Sequence, residues 1–506
     1  MAVRSFLRRT VRAYPALLIR FELVDRQKGT EALDLAAPVM VTGGLRVLLR
    51  MADFLMVGIA LGDAAIAGLE LAFQYYFIGF GLSLAVTSGT ISVVSRLKGA
   101  GEHDRADLAV KQSLWLSLAI SLPLTAASWL YAEPMIDVLT NDLQTIDMGG
   151  TYLRIVMLSL SFRFWSMVAA RALAGGADTR TPMYVRLLTL PTNVSLNAVL
   201  IFGLGPFPRL GIAGAAIGTV IANGVAGLVF FGLLASGRFT ATLSRRGAQF
   251  ELGLMAEIVR VATPLAGMRL LQTFGRFPFL FVLGVLGTPV VAAYAIARRV
   301  VMLALMPAWG YSTAASTLVG QAIGRDEDRE ATEYGWQTLR IGLATQLPIA
   351  ALLIVGARPI AVAFGTEYVD LTVTFVRVFG LGVAGFSISR TMRGSLRGAG
   401  DTRWPMYGTA LATYVVRLPI AALALPAGFA VSLGGLSVPI GFGLGLPAIF
   451  LAIVADFYVK AAVNTGRFRS GKWREIARRS GVGAGGGNDC VPGGERLCGR
   501  RPTTRV

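Results

Sequence analysis

Of the two side chains that most often bind transition metals, the 506 residues hold very few: one histidine, His103, and two cysteines, Cys490 and Cys498. A histidine-built metal centre is excluded. Two thiols without further ligands make a poor zinc site, and both lie in the last segment, so no disulfide framework is legible. Charge is scarce as well. Only 15% of the residues are Asp, Glu, Lys or Arg, against roughly 25% in soluble proteins. No nucleotide loop and no nucleophile–base pair occurs, so the chain does not read as an enzyme and no cofactor is expected. The basic start, with Arg4, Arg8, Arg9 and Arg12, precedes no short apolar core ending in a cleavage site, so a removable leader is not expected either. What is abundant is apolar: 54% of residues are hydrophobic and 60 are glycine. Small residues at that density suit membrane helices packed backbone to backbone.

A membrane-crossing helix needs roughly 20 mostly apolar residues. Twelve stretches qualify, near 33–60, 66–95, 106–132, 146–173, 183–204, 211–236, 254–286, 290–320, 334–356, 371–395, 404–425 and 438–462. With the N-terminus inside, the connecting loops sort by charge. The inner ones hold Arg96, Lys98, Arg105 and Lys111, then Arg180, then Arg238, Arg245 and Arg246, then Arg325 and Arg329, then Arg397 and Arg403. The outer ones hold Asp63, Glu133, Asp137, Asp142, Glu367 and Asp370, with Arg209 and Arg358 as their basic residues. This asymmetry places both termini in the cytoplasm and explains the excess of 48 basic over 29 acidic residues by the positive-inside rule, without nucleic acid. The glycine-rich tail beyond Ser470 is too poor in apolar residues to fold by itself.

The chain repeats itself. "GGADTRTPMY" from Gly175 returns as "GAGDTRWPMY" from Gly398, an offset of 401 − 178 = 223. "VVSRLKGAGEHDRA" (93–106) matches "LVGQAIGRDEDREA" (318–331) at 225, and Pro38 matches Pro264 at 226. Such a period marks internal duplication. Six helices per unit insert the same way round. The expected fold is therefore all-α and integral to the membrane, with twelve transmembrane helices in two six-helix lobes. The lobes are related by a pseudo-twofold along the membrane normal, as in parallel-repeat transporters. The expected divisions are a cytoplasmic segment 1–30, an N-lobe 31–236, a linker 237–253, a C-lobe 254–465 and a cytoplasmic tail 466–506. In the doubled loop, Asp178 and Asp401 suit helix capping, and Pro182 and Pro405 suit a first helical turn.

The first-helix stretch "APVMVTGGLRVLLRMADFLMVG", the paired "GADTRTPM" and "GAGDTRWPM", and "NVSLNAVLIFG" followed by "LGIAGAAIGTVIA" together resemble the multidrug and toxic compound extrusion (MATE) transporters over roughly residues 30–465. The resemblance implies a plasma-membrane antiporter working by alternating access. It would export organic, mostly cationic, drug-like compounds as Na+ or H+ enters, and would act as a monomer. It implies a coupling cluster at Asp53, Tyr152, Asn193, Asn197 and Thr219, and a first-helix bend at Pro38. Family members usually carry a second acid where Asn197 stands. The alternative is a flippase of lipid-linked oligosaccharides or lipids from the same superfamily, which buried arginines would favour.

Physical chemistry weighs these residues independently. An acid within an apolar span is costly and usually functional. Asp53, Asn193, Asn197 and Thr219 would offer hard oxygens to Na+, and Asn193 and Asn197, four apart, share one helix face. The plain alternative is an ion pair of Asp53 with Arg50 or Arg46. Subtracting the offsets maps Asp53 onto Phe279, Asn193 onto Val416 and Asn197 onto Ile420, so coupling is expected in the N-lobe only. Arg46, Arg50 and Arg276 are candidate cavity-lining residues, with Arg269, Arg298 and Arg299 forming a basic wall. Glu70 reads as a helix-end acid. Tyr75, Tyr76, Phe77 and Trp165 read first as core or lipid-facing, and second as platforms for flat substrates.

Overall fold

A computed structural model describes residues 25–479, except 139, 141, 244–248, 365, 434, 435 and 440. Cys490 and Cys498, the basic N-terminal residues, Arg245 and Arg246, and the side chains of Arg50, Asp63 and Phe77 lie outside the described residues. The first half of the chain comprises α1 (Arg26–Leu61), α2 (Asp63–Gly99), α3 (His103–Asp137), α4 (Leu143–Met157), α5 (Leu160–Gly175), α6 (Arg180–Phe202) and α7 (Gly211–Ala235). The second half comprises α8 (Leu252–Phe274), α9 (Arg276–Val285), α10 (Thr288–Ala304), α11 (Met306–Gly324), α12 (Asp328–Val355), α13 (Ala357–Ala363), α14 (Val369–Gly398) and α15 (Arg403–Ala410). It continues through a π-helical turn (Leu411–Arg417), α16 (Leu418–Ala422), α17 (Leu446–Arg469) and α18 (Trp473–Arg479).

Among the described residues, seven single helices are long and apolar enough to cross a membrane. They are α2, α3, α6, α7, α12, α14 and α17. Two bent pairs, α4–α5 at 49° and α10–α11 at 45°, bring the number to nine. Three expected stretches fall outside that set. The first is α1, which carries Arg46, Arg50 and Asp53. The second, 254–286, breaks at Gly275, where a side chain would run into Thr413. The third, 404–425, is interrupted by the π turn. The expected stretch 438–462 begins late, because 430–439 forms a short antiparallel hairpin (Ala430–Leu433 with Leu436–Pro439) and helix resumes at Leu446. The expected tail boundary at 466 also moves. α17 runs to Arg469, and Trp473 of α18 is fully buried, stacked on Phe468 with ring centroids 5.3 Å apart.

The sequence repeat is a repeat of backbone geometry. After α5, Asp178 N donates to Leu173 O at 2.9 Å and Ala177 takes φ 68°; after α14, Asp401 N donates to Leu396 O at 2.9 Å and Gly400 takes φ 81°. Each equivalent pair is 223 apart. After α2, Glu102 N reaches Leu97 O at 3.0 Å with Gly101 at φ 76°; after α11, Glu327 N reaches Ala322 O at 2.9 Å with Asp326 at φ 61°. Each of those pairs is 225 apart. The second turn carries a strain that glycine avoids in the first, since a side chain at positive φ is unfavourable.

Of the two aspartates, Asp178 makes the capping hydrogen bonds, while Oδ1 of Asp401 is buried without a donor in hydrogen-bond reach. Asp178 accepts from the amides of Arg180 and Thr181 at 3.1 and 2.9 Å. Asp401 faces the equivalent Trp404 amide and also accepts from Arg467 Nε at 2.6 Å, its side chain wholly buried. Burial pushes the Asp401 carboxyl up from its ordinary value, against the pull of Arg467. A buried pair of this kind is costly to break one-sidedly. Asp401→Ala should therefore destabilise the purified protein by about 3–5 kcal/mol, with part of the loss recovered in the Asp401→Ala, Arg467→Ala double variant. Thermal unfolding in detergent checks this; additive losses would refute the coupling.

α1 packs across the sequence division. The first turns of α1, at Ala32, Leu33, Leu35 and Ala36, pack in a core cluster with Tyr311, Tyr334 and Trp473 of the second half. The far end of α1, at Val57, packs with Leu69, Tyr152 and Ala216 of the first half. α1 thus ties both halves together, and Pro38 lies within its contact with the second half, which continues through Met40 to Gly43 beside Met306. The helix runs unbroken through Pro38, which is itself buried.

Candidate coupling site and the cavity between the halves

α1 carries Asp53 towards α6. Asn197 Nδ2 donates to Asp53 Oδ1 at 2.9 Å, across 144 residues of sequence. Asn197 is 1% exposed, and its Oδ1 is buried without a hydrogen-bond donor. α7 makes room for it: a side chain at Gly218 would collide with Asn197 Oδ1. One turn earlier on α6, Asn193 Nδ2 lies 3.4 Å from Thr219 Oγ1, whose hydroxyl donates to Ala215 O at 2.9 Å. The expected residues therefore fall into two joined pairs, Asp53 with Asn197 and Asn193 with Thr219. Tyr152 is 3% exposed in the same core cluster as Val57 and Ala215, its ring 5.9 Å from that of Phe73. No cluster of three His, Cys, Asp or Glu able to hold a metal ion exists among the described residues. A cation here would depend on one carboxylate, an orphaned amide oxygen and neutral oxygens, a donor set that fits a hard monovalent ion.

The remaining candidates scatter. Arg46 is half-buried on α1, within electrostatic reach of Arg186. Arg276 is exposed at the break between α8 and α9, and Arg298 and Arg299 are half-buried and exposed on α10. Glu70 is exposed on α2. Tyr75 donates its hydroxyl to Met135 O, Tyr76 packs edge-on to Phe73 at 6.0 Å, and Trp165 stacks on Phe231 at 5.9 Å. Tyr76 is thus buried and Tyr75 half-buried, while Trp165 is half-buried against the exposed Phe231. At the position equivalent to Asp53 in the second half, Phe279 is fully buried, and the Arg417 guanidinium lies 3.8 Å from its ring centroid.

The halves meet in matched pairs near the ends of α2, α5, α11 and α14. Ser92 Oγ donates to Arg397 O at 2.5 Å, and Thr317 Oγ1 donates to Ala174 O at 2.8 Å. Those donors are 225 apart and those acceptors 223 apart. A side chain at Gly99 would strike the Gln321 carbonyl, and one at Gly324 would strike the Arg96 carbonyl, again equivalent partners. Arg96 is fully buried and its Nη2 lies 2.7 Å from Glu257 Oε1. It is an interior ion pair, where the charge pattern of the loops had placed a solvated cation. Arg397 is likewise interior: its guanidinium donates to Ser316 Oγ at 3.2 Å and Ser312 O at 3.0 Å. Above this seam lies a small cavity between α2 and α5 of the first half and α8, α11 and α14 of the second. Arg171, Arg390, Arg393 and Arg397 line it, along with the expected Arg269. Composition did not reveal this cluster. The one sequence signal was the spacing of Arg390, Arg393 and Arg397, three and four apart on one helix face.

A multi-pass helical bundle, duplicated in its turns and closed by matched contacts between its halves, is the build of a membrane transporter rather than an enzyme. The chain belongs to the MatE family, whose model matches it twice, over residues 38–199 and 264–423. A probable multidrug resistance protein NorM of Thermotoga maritima is 27% identical over 463 residues, covering 88% of this chain and 93% of that protein. An FAD transporter of Shewanella oneidensis is 25% identical, covering 69% of this chain and 77% of that one. A crystal structure of MATE in the bent conformation superposes with a TM-score of 0.80 at 20% identity, covering 90% of this chain and 97% of that chain. The family's members are transporters, and the multidrug relatives support multidrug transport as the activity.

Proposed function

We propose that the protein is a twelve-span, two-lobed efflux antiporter of the cell membrane, monomeric, with both termini in the cytoplasm. It exports drug-like organic compounds as Na+ or H+ moves inward. The observation that carries this reading is the bond from Asn197 Nδ2 to Asp53 Oδ1. It joins an in-span acid on the helix that touches both halves to a first-half amide whose own oxygen is unclaimed. Binding of Na+ or H+ at Asp53 changes the charge at that joint, and α1 can pass the change on through its attachment near Ala36. Pro38, in the part of α1 that packs on the second half, is the proposed point of bending, because it lacks the amide that would brace the preceding turn. Asn193 and Thr219 would complete a Na+ shell, with Tyr152 closing the cluster from α4. Arg46 and Arg276, expected to line a cavity, stand apart from the arginine-lined seam. The two matches of the family model, starting at 38 and 264, support the two lobes. The flippase reading draws its support from one feature, the arginine-lined seam.

The test is ethidium or norfloxacin efflux from vesicles at fixed pH, with and without an inward Na+ gradient, and then with a proton gradient alone. Drive by either ion supports antiport. Efflux indifferent to both gradients refutes it.

A further inference from the structure

Five guanidinium groups converge between the halves: Arg171 from α5, Arg269 from α8, and Arg390, Arg393 and Arg397 from α14. The space they enclose is about 40 Å³, and among the described residues no Asp or Glu lines it. Arg390 and Arg393 are 7% and 8% exposed. The contacts they make are with neutral groups. Arg171 Nη1 donates to Thr313 Oγ1 at 2.9 Å, Arg393 Nη1 faces Met268 Sδ at 3.1 Å, and Arg390 lies 3.4 Å from the Trp309 ring centroid. The buried Nε of Arg390 has no acceptor at all.

That arrangement is a poor way to hold a fold together. Like charges buried without counter-ions are strongly unfavourable, and elsewhere this chain does provide partners, as Glu257 does for Arg96 and Asp401 for Arg467. Charges left uncompensated at the joint between two moving halves are charges kept for something that arrives. Guanidinium forks match the paired oxygens of carboxylate, sulfonate and phosphate groups. The apolar side of the same cavity is Leu265, Met268 and Trp309.

We propose that this seam is a substrate site for amphipathic organic anions. Arg390, Arg393 and Arg269 hold a phosphate, sulfonate or carboxylate, and the apolar body lies against Trp309, Leu265 and Met268. This is the opposite charge to the cations implied by the family resemblance. The cavity as it stands holds a water or so, so the ligand enters when the halves part. The proposal rests on the transport reading for its purpose, yet binding is measurable with no gradient. Loss of gradient-driven efflux with intact anion binding would therefore count against antiport and not against this site.

The experiment uses the full chain in phosphatidylcholine nanodiscs, with empty discs subtracted. The probes are 1-pyrenesulfonate and 1-pyrenemethylammonium, which share a ring and differ in sign. The expected result is sulfonate binding at least about tenfold tighter than ammonium, as one charge-assisted hydrogen-bonded pair supplies, and displacement of the sulfonate by millimolar inorganic phosphate. The Arg390→Gln, Arg393→Gln double variant should lose at least about tenfold in sulfonate affinity with ammonium binding unchanged. Equal binding of the two probes, or a preference for ammonium, overturns the proposal on the wild-type chain alone, whatever the variant's folding. The anionic group could also belong to a lipid. Replacing part of the phosphatidylcholine with phosphatidic acid separates the sources: displacement of the sulfonate assigns the site to a headgroup, and retention assigns it to a soluble anion.

Discussion

Asp53→Asn should abolish gradient-driven efflux while leaving a folded protein that still binds substrate. The side chain is the one carboxylate bonded to the amide pair of α6, through Asn197 Nδ2 at 2.9 Å. Asparagine keeps an oxygen for that donor, so the local hydrogen bond can survive. What it loses is the negative charge and the ability to take a proton. A site for Na+ built otherwise from neutral oxygens loses its only counter-charge, which is worth about 3–5 kcal/mol when the partner is buried. That is roughly a hundredfold or more in ion affinity at 1.4 kcal/mol per tenfold. Efflux driven by either ion should fall by at least that factor in reconstituted vesicles. Counterflow exchange of labelled substrate at zero gradient should persist, since alternating access itself does not need the ion. Full gradient-driven activity in Asp53→Asn would remove Asp53 from the coupling site and leave its bond to Asn197 a structural one.

The family resemblance implies the five members of the proposed site, and the residues alone single out three of them, Asp53, Asn193 and Asn197. An acid amid apolar neighbours and two amides four apart stand out, because polar groups are too costly in a membrane interior to persist there without a use. Their pairing was not fully visible. The structure joins Asp53 to Asn197 and Asn193 to Thr219, and it takes Gly218 to make the room that Asn197 fills. The arginine seam was missed for a physical reason. Positive charge near helix ends obeys the positive-inside rule whether it faces water or the interior, so Arg397 and Arg96 counted as loop cations when both are inside. The hairpin at 430–439 was missed because Gly434 and Gly435, between the short runs Ala430–Leu433 and Leu436–Pro439, were not weighed as a turn signal. The duplication was the most legible feature of all. Offsets of 223 and 225 in sequence return as the same turn bonds and the same glycine contacts, because a tight helix end admits few sequences.

Gly324→Val should hold the transporter with the seam between its halves open. Gly324 and Gly99 are equivalent by the repeat, and each lies against the other half's backbone at the Arg96 and Gln321 carbonyls. A side chain at either position meets backbone, which cannot swing aside as a flexible side chain could. Overpacking of this kind costs about 1–3 kcal/mol when the surroundings yield. Two packed helix backbones yield less, so the closed arrangement becomes the minor one. A shift of that size moves a two-state equilibrium by roughly tenfold or more, and efflux should fall with it, because the cycle needs both states. The readout is a cysteine at Ser95, which is fully buried in the closed seam. With Cys490 and Cys498 first replaced by serine, Ser95→Cys should resist a water-soluble maleimide in the otherwise unaltered chain and react readily when Gly324→Val is added. Gly99→Val should do the same, since the two contacts are related by the repeat. Protection unchanged in both variants would show that the matched glycines are a feature of packing alone, and that the halves part somewhere else.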